Sequence, residues 1–166
     1  MSRHPVPDPV APGQESVWDY PRPPRVEQID ARVVIRLGGE VIVDTDDVVR
    51  VLETSHPPVY YLPIAEFAEG ALVPATGGSF CEFKGSARYF DVQGGDAAAQ
   101  RAAWNYPDPS PGFDLLADRV AVYARPMDAC EVDGELVEPQ PGGFYGGWIT
   151  STVAGPFKGV PGSMGW

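Results

Sequence analysis

Hydrophobic and polar positions alternate most clearly in "ARVVIRLGGEVIVDTDDVVRVLET", residues 31–54. Val33, Ile35 and Leu37 share one side of the chain, the period of a half-buried strand. Gly38-Gly39 makes a hairpin turn and "EVIVD" returns from it. The acids Asp44 to Asp47 read as a further turn, with "VVRVLE" as a third strand. "PPVYYLP" is an extended segment bracketed by proline, in which Tyr60 and Tyr61 point to opposite faces. "PIAEFAEGALVP" reads as one or two helical turns, since proline suits a helix start. "GGSFCEFKGSARYFDVQGG" reads as a hairpin of two aromatic-rich strands about Gly85, closed by Gly94-Gly95. "DAAAQRAAWNYP" suits a helix by propensity and equally a strand ending at Trp104. "GFDLLADRVAVYARPMD" predicts a short helix and then a strand over Val120 to Tyr123. "CEVDGELVEP" predicts a last hairpin turning at Asp133-Gly134.

The elements divide the chain into an extended, proline-rich arm over residues 1–29, a core domain over 30–133 and a Gly/Pro/aromatic segment over 134–166. That last segment is too aromatic for a solvated linker, so it is expected to pack on the core or on a partner subunit. "FKG" occurs in the core at Phe83–Gly85 and again in the tail at Phe157–Gly159; the flanks do not align, so it reads as coincidence or as similar turn chemistry.

Composition sharpens the fold class. Glycine and proline number 19 each in 166 residues, and 43 % of the chain is hydrophobic. A core is affordable, long helices are not, and turn-rich β structure is favoured. The formal net charge of -11 repels phosphate backbones and anionic membranes, which argues against nucleic-acid and membrane partners. Two cysteines, Cys81 and Cys130, make no disulfide framework. The first residues lack the apolar run of a signal peptide, so a cytoplasmic location is expected.

Several chemistries lack their residues. The chain contains no P-loop, no Gly-x-Gly-x-x-Gly and no Gly-x-Ser-x-Gly elbow, so no cofactor is expected. His56 is the only histidine outside the arm, where His4 lies. One histidine and two distant cysteines do not make a zinc site, so no metal is expected. An Asp-x-Asp pair follows Gly38-Gly39, the order of a polymerase-β-type nucleotidyltransferase, which holds magnesium on such acids. Only Glu40 to Val43 intervene, too few for the helix of that design.

What remains is a set of aromatic and polar residues near constrained turns: Arg50, Glu53, His56, Tyr60 and Tyr61 in "RVLETSHPPVYYLP", Cys81, Lys84 and Tyr89 in "CEFKGSARYF", Trp104 and Tyr106 in "AAWNYPDP". Rigid aromatics with polar tips suit a pocket for a small planar ligand. Taken singly, each aromatic also reads as core, Arg50 and Glu53 as an ordinary ion pair, and Cys81 as a small apolar residue.

These three blocks, in this order and spacing, resemble the bacterial family catalogued as domain of unknown function 427. The resemblance runs from about Ala31 to Asp133, and "WDYPRPP" and "GPFKG…GW" resemble extensions of longer members. It implies a small, mainly β domain with twisted antiparallel sheets in a β-tent-like arrangement and one or two short helices. Many β-tent proteins hold zinc on two Cys-x-x-Cys pairs, and this chain has neither pair. The family is sometimes labelled nucleotidyltransferase, a label that the acid spacing does not support. Its motif positions fall on Glu53, Pro58, Tyr60, Cys81, Lys84, Gly85, Tyr89, Trp104 and Tyr106. Three functions fit: a small-molecule-binding domain, an enzyme using Glu53 or His56 as acid–base with Lys84, and an interaction protein whose tail seals a homodimer.

Overall fold

The computed structural model describes residues 5–166, so His4 lies outside the described residues. Strand β1 is Glu15–Ser16, and β2, Arg25–Leu37, and β3, Glu40–Leu52, form a long hairpin. The short β4, Val59–Pro63, is followed by β5, Leu72–Cys81, β6, Gly85–Gly94, and β7, Ala97–Asn105. Then come β8, Arg119–Val122, β9, Ala129–Val132, and β10, Glu135–Leu136. The tail contributes β11, Glu138–Pro139, β12, Trp148–Ile149, and β13, Val153–Ala154.

Nine of these strands make one antiparallel sheet in the order β10-β9-β2-β3-β4-β8-β7-β6-β5. The sheet changes partners along β4. Val59 to Tyr61 pair with β3, whereas Leu62 and Pro63 pair with β8. The two halves on either side of this short strand enclose a common core: Val33, Ile35, Val43 and Val48 from β2 and β3 pack with Val92, Ala103, Val120 and Val122 from β6, β7 and β8. Their side chains, β-branched except for Ala103, fill a pleated, two-sided interior. At one end the turns of the halves touch. A Cβ on Gly38 would lie 1.9 Å from the Gly94 carbonyl oxygen, so only glycine lets the turns meet.

The mainly β, antiparallel class read from the sequence holds, with local corrections. No α-helix occurs among the described residues; the expected helical turns are three-residue 3-10 turns at Ile64–Glu66 and Asp114–Leu116, with another at Val17–Asp19. Segments so short cannot recover the cost of nucleating an α-helix. Residues 97–105 are strand: pairing with β6 and β8 overrides the helical propensity of alanine. Asp44 to Asp47 are not a turn. They run inside β3, paired with β2, and "VVRVLE" is the continuation of the same strand. Their charges are met from neighbouring strands: Arg32 donates to Asp44 at 2.8 and 2.6 Å, and Gln28 and Arg119 each donate to Asp47 at 2.6 Å. These bonds hold both carboxyls below their usual range.

Arm and tail pack against each other and the core. β1 pairs in parallel with β13, and Val17, Tyr20, Leu52 and Val153 form a small separate core. Trp148 is buried, stacks on Tyr60 with ring centroids 5.2 Å apart, and donates its indole N–H to the Val122 carbonyl at 3.0 Å. No helix among the described residues is long and apolar enough to cross a membrane.

Candidate functional site

The turn after β3 begins the site. His56 N–H donates to the Glu53 carbonyl at 3.0 Å, and between them Ser55 takes a left-handed backbone with φ of 72°. A non-glycine residue in that region is costly unless its surroundings hold it. Here the arm and the tail do so: Ser55 N–H donates to the Val17 carbonyl at 3.0 Å, and the Ser55 carbonyl accepts Lys158 N–H at 2.9 Å. On a continuous strand Glu53 and His56 would face opposite ways. The turn brings Glu53 Oε2 within 3.5 Å of His56 Nε2.

The imidazole is fixed from its other side. Gln140 Nε2 donates to His56 Nδ1 at 3.0 Å and to the Lys158 carbonyl at 2.9 Å, while Gln140 Oε1 accepts Gly147 N–H at 3.0 Å. With Nδ1 accepting, the proton of the neutral ring sits on Nε2, facing Glu53. Burial pushes the imidazole pKa down to about 4, against the pull of Glu53 and with help from Lys158, Arg22 and Lys84. Glu53 is also held by Arg22, with Nε 3.3 Å from Oε2.

These residues edge a cleft of about 330 Å³. Its floor is aromatic. Tyr61, Trp104 and Tyr106 are all buried, and burial raises the hydroxyl pKa of both tyrosines. Tyr123 packs on Trp104 with centroids 4.6 Å apart. Trp104 lies so close to Gly146 that a Cβ there would come within 2.0 Å of the indole ring. Cys81, at the end of β5, and Lys84, in the turn before β6, form one wall. Tyr89 stands beside them, its hydroxyl 3.0 Å from Ser79 Oγ and its ring under the Arg101 guanidinium at 4.5 Å. The tail adds Gln140, Tyr145 and Lys158 to the lining. Tyr145 meets His56 edge-on at 4.7 Å. Phe80 and Phe144 lie exposed at the rim.

Seven residues singled out in the sequence thus meet at one cleft: Glu53, His56, Cys81, Lys84, Tyr89, Trp104 and Tyr106. Two do not. Tyr60 turns to the opposite face, under Trp148, and its neighbour Tyr61 takes the place in the cleft. Arg50 shares that other side and does not pair with Glu53; it binds Glu15 at 2.7 Å and Glu27 at 2.5 Å. The sequence reading held Tyr61 as the alternative to Tyr60 and missed Gln140, Tyr145 and Lys158. For Lys158 the signal was present, in the returning Phe-Lys-Gly. Among the described residues no three His, Cys, Asp or Glu side chains are grouped as metal ligands.

Fold and cleft together define a mainly β, antiparallel domain whose sheet and tail enclose an aromatic, two-lysine cleft. The family profile described as Domain of unknown function (DUF427) matches residues 25–133, most of the chain, and the protein belongs to that family. The matched span begins at the first residue of β2 and ends in the β9–β10 turn, so the tail wall of the cleft lies outside it. No curated protein matches the chain.

Proposed function

We propose that the protein is a small-molecule-binding domain and that its ligand sits in the cleft lined by the Lys84 turn and by Tyr145. The observation that carries this reading is the convergence of polar groups from separate segments over a floor of buried rings. Concave, mostly apolar sites with a few placed polar groups are the usual form of a ligand pocket, and about 330 Å³ lies at the small end of their range. The fixed Gln140–His56–Glu53 chain offers a rigid polar edge rather than a mobile one. A thermal-shift screen of small metabolites tests it, because a ligand that binds only the folded state raises the melting temperature. At least one compound should protect the wild type, and Val59→Trp, which fills the cleft from β4, should abolish that protection while keeping the far-UV spectrum. Protection that survives Val59→Trp would place the ligand elsewhere.

A second reading, an enzyme with Glu53 as proton acceptor, is favoured by one contact, the Glu53–His56 pair. His56 itself is poorly suited as the base, since Nδ1 is engaged by Gln140 and burial disfavours its charged form. Turnover of a bound compound, lost in Glu53→Gln with binding retained, would establish this reading over simple binding.

A further inference from the structure

The chain has 12 lysines and arginines, of which only two, Lys84 and Lys158, are lysines. Both line the cleft, although one belongs to the β5–β6 turn and the other to the tail. Each stands in Phe-Lys-Gly, and in both copies the glycine has a left-handed backbone, with φ of 108° at Gly85 and 122° at Gly159. The two segments differ otherwise, since Lys84 lies in a hairpin turn and Lys158 in an isolated bridge with Val160. The ammonium groups are nevertheless placed alike. Lys84 Nζ lies 5.7 Å from the centre of the Tyr106 ring and Lys158 Nζ lies 5.5 Å from that of Tyr145.

Neither lysine pairs with an Asp or Glu side chain among the described residues; Lys158 Nζ donates to the terminal oxygen of Trp166 at 3.4 Å. Six of the arginines, Arg22, Arg25, Arg32, Arg36, Arg50 and Arg119, each hold an acid, whereas Arg101 lies over the Tyr89 ring. On a chain with 23 acidic residues, two half-buried lysines at one cleft, neither held by an Asp or Glu side chain among the described residues, are an unusual concentration of positive charge. Their fields overlap, since both disfavour the charged form of His56. Of the acids at the cleft, Glu53 is already occupied by Arg22 and His56, and Glu82 is exposed.

We infer that the cleft selects a flat aromatic anion of one or two rings, a carboxylate or a phosphate, whose ring lies over the Trp104 floor and whose charge is met by Lys84 and Lys158. This rests on the ligand-binding reading above and adds the class of ligand. The rings supply a face for stacking, the ammonium groups supply the counter-charge, and the cleft volume limits the size.

Because the chain has only two lysines, reductive methylation with ¹³C-formaldehyde, which keeps the positive charge, gives one NMR signal for each. The probes are 2-naphthoate, phenyl phosphate, the neutral 2-naphthalenemethanol and inorganic phosphate. An aromatic anion should shift both lysine signals at submillimolar concentration and bind at least tenfold more tightly than the neutral alcohol. Lys84→Gln and Lys158→Gln should each weaken the anion about fivefold or more and leave the alcohol unchanged. Tighter binding of 2-naphthoate than of phenyl phosphate supports a carboxylic acid as the natural class, and the reverse supports a phosphate ester. The inference is overturned if the alcohol binds as tightly as 2-naphthoate, if both Gln variants bind the anion normally, or if inorganic phosphate shifts the lysines as strongly as the aryl anions. In each of those cases a screening hit that Val59→Trp blocks would still uphold the binding function, so the two failures are distinguishable. The wild-type NMR titration needs no variant, so a misfolded substitution does not decide the outcome.

Discussion

His56 shows how one side chain is set by partners far away in sequence. Its pKa falls from the usual 6.5 to about 4, chiefly because burial disfavours the imidazolium. The linkage to stability has a definite sign. Below pH 6.5 the unfolded chain takes up the proton before the folded chain does, so protonation favours unfolding. The stability that rests on a neutral His56 is thus complete above 6.5 and lost as the pH falls towards about 4. A shift of this size corresponds to roughly 3 kcal/mol at full extent. In His56→Asn, which cannot titrate, stability from urea unfolding should fall less steeply than the wild type's between pH 7 and pH 4.5. Parallel profiles would mean that the folded imidazole titrates normally. The sequence marked His56 as the one histidine beside the proline pair. It did not disclose Gln140, because a glutamine in an aperiodic, glycine-rich tail carries no spacing signal. Tyr60 and Tyr61 pose the same limit in another form. Alternation says that only one can face the cleft, but which one depends on the pairing of β4 with β3 and β8, a long-range fact.

At the scale of elements, turns that glycine announces were legible and contacts between turns were not. Gly38-Gly39 and Asp133-Gly134 both close hairpins as their sequences suggest. Nothing local shows that Gly38 must touch Gly94. The two glycines of the first hairpin separate these effects. Gly38 and Gly39 have φ of 61° and 79°, but only Gly38 faces a neighbour, whereas a Cβ on Gly39 meets open space. Gly39→Ala should therefore cost only the backbone term, about 1–2 kcal/mol. Gly38→Ala should cost that and about 1–3 kcal/mol more for forcing the turns apart. Equal shifts in the urea midpoint of the two variants would contradict the close approach. The acids Asp44 to Asp47 show the opposite failing, a local pattern that pointed the wrong way. Four polar residues in a row mimic a turn until Arg32 and Arg119 arrive from other strands to pair with Asp44 and Asp47. The alanine-rich β7 is similar, since its propensity is helical and its neighbours impose a strand.

The whole molecule is held by parts that lie outside the family match. The matched span ends at residue 133, yet the tail stacks Trp148 on Tyr60, places Gln140 on His56 and brings Lys158 to the cleft. The Trp148 backbone N–H donates to the Pro58 carbonyl at 2.9 Å, which ties the tail to the proline pair that introduces the two tyrosines. Loss of one such buried aromatic ring commonly costs about 3–5 kcal/mol, a large part of the roughly 5–15 kcal/mol that keeps a domain folded. A chain cut after Pro139 would lose that ring, the Gln140 clamp and the β1–β13 pair together. It would also bare Tyr60 to water and leave the Trp104 floor without its Gly146 cover. We expect the shortened chain to unfold without a sharp thermal transition and to bind a hydrophobic dye, while Trp148→Phe, which keeps a ring over Tyr60, retains a cooperative transition at lower temperature. A shortened chain that melts as cooperatively as the full one, at a similar temperature, would show that the tail is only a wall of the cleft and that residues up to Pro139 fold by themselves.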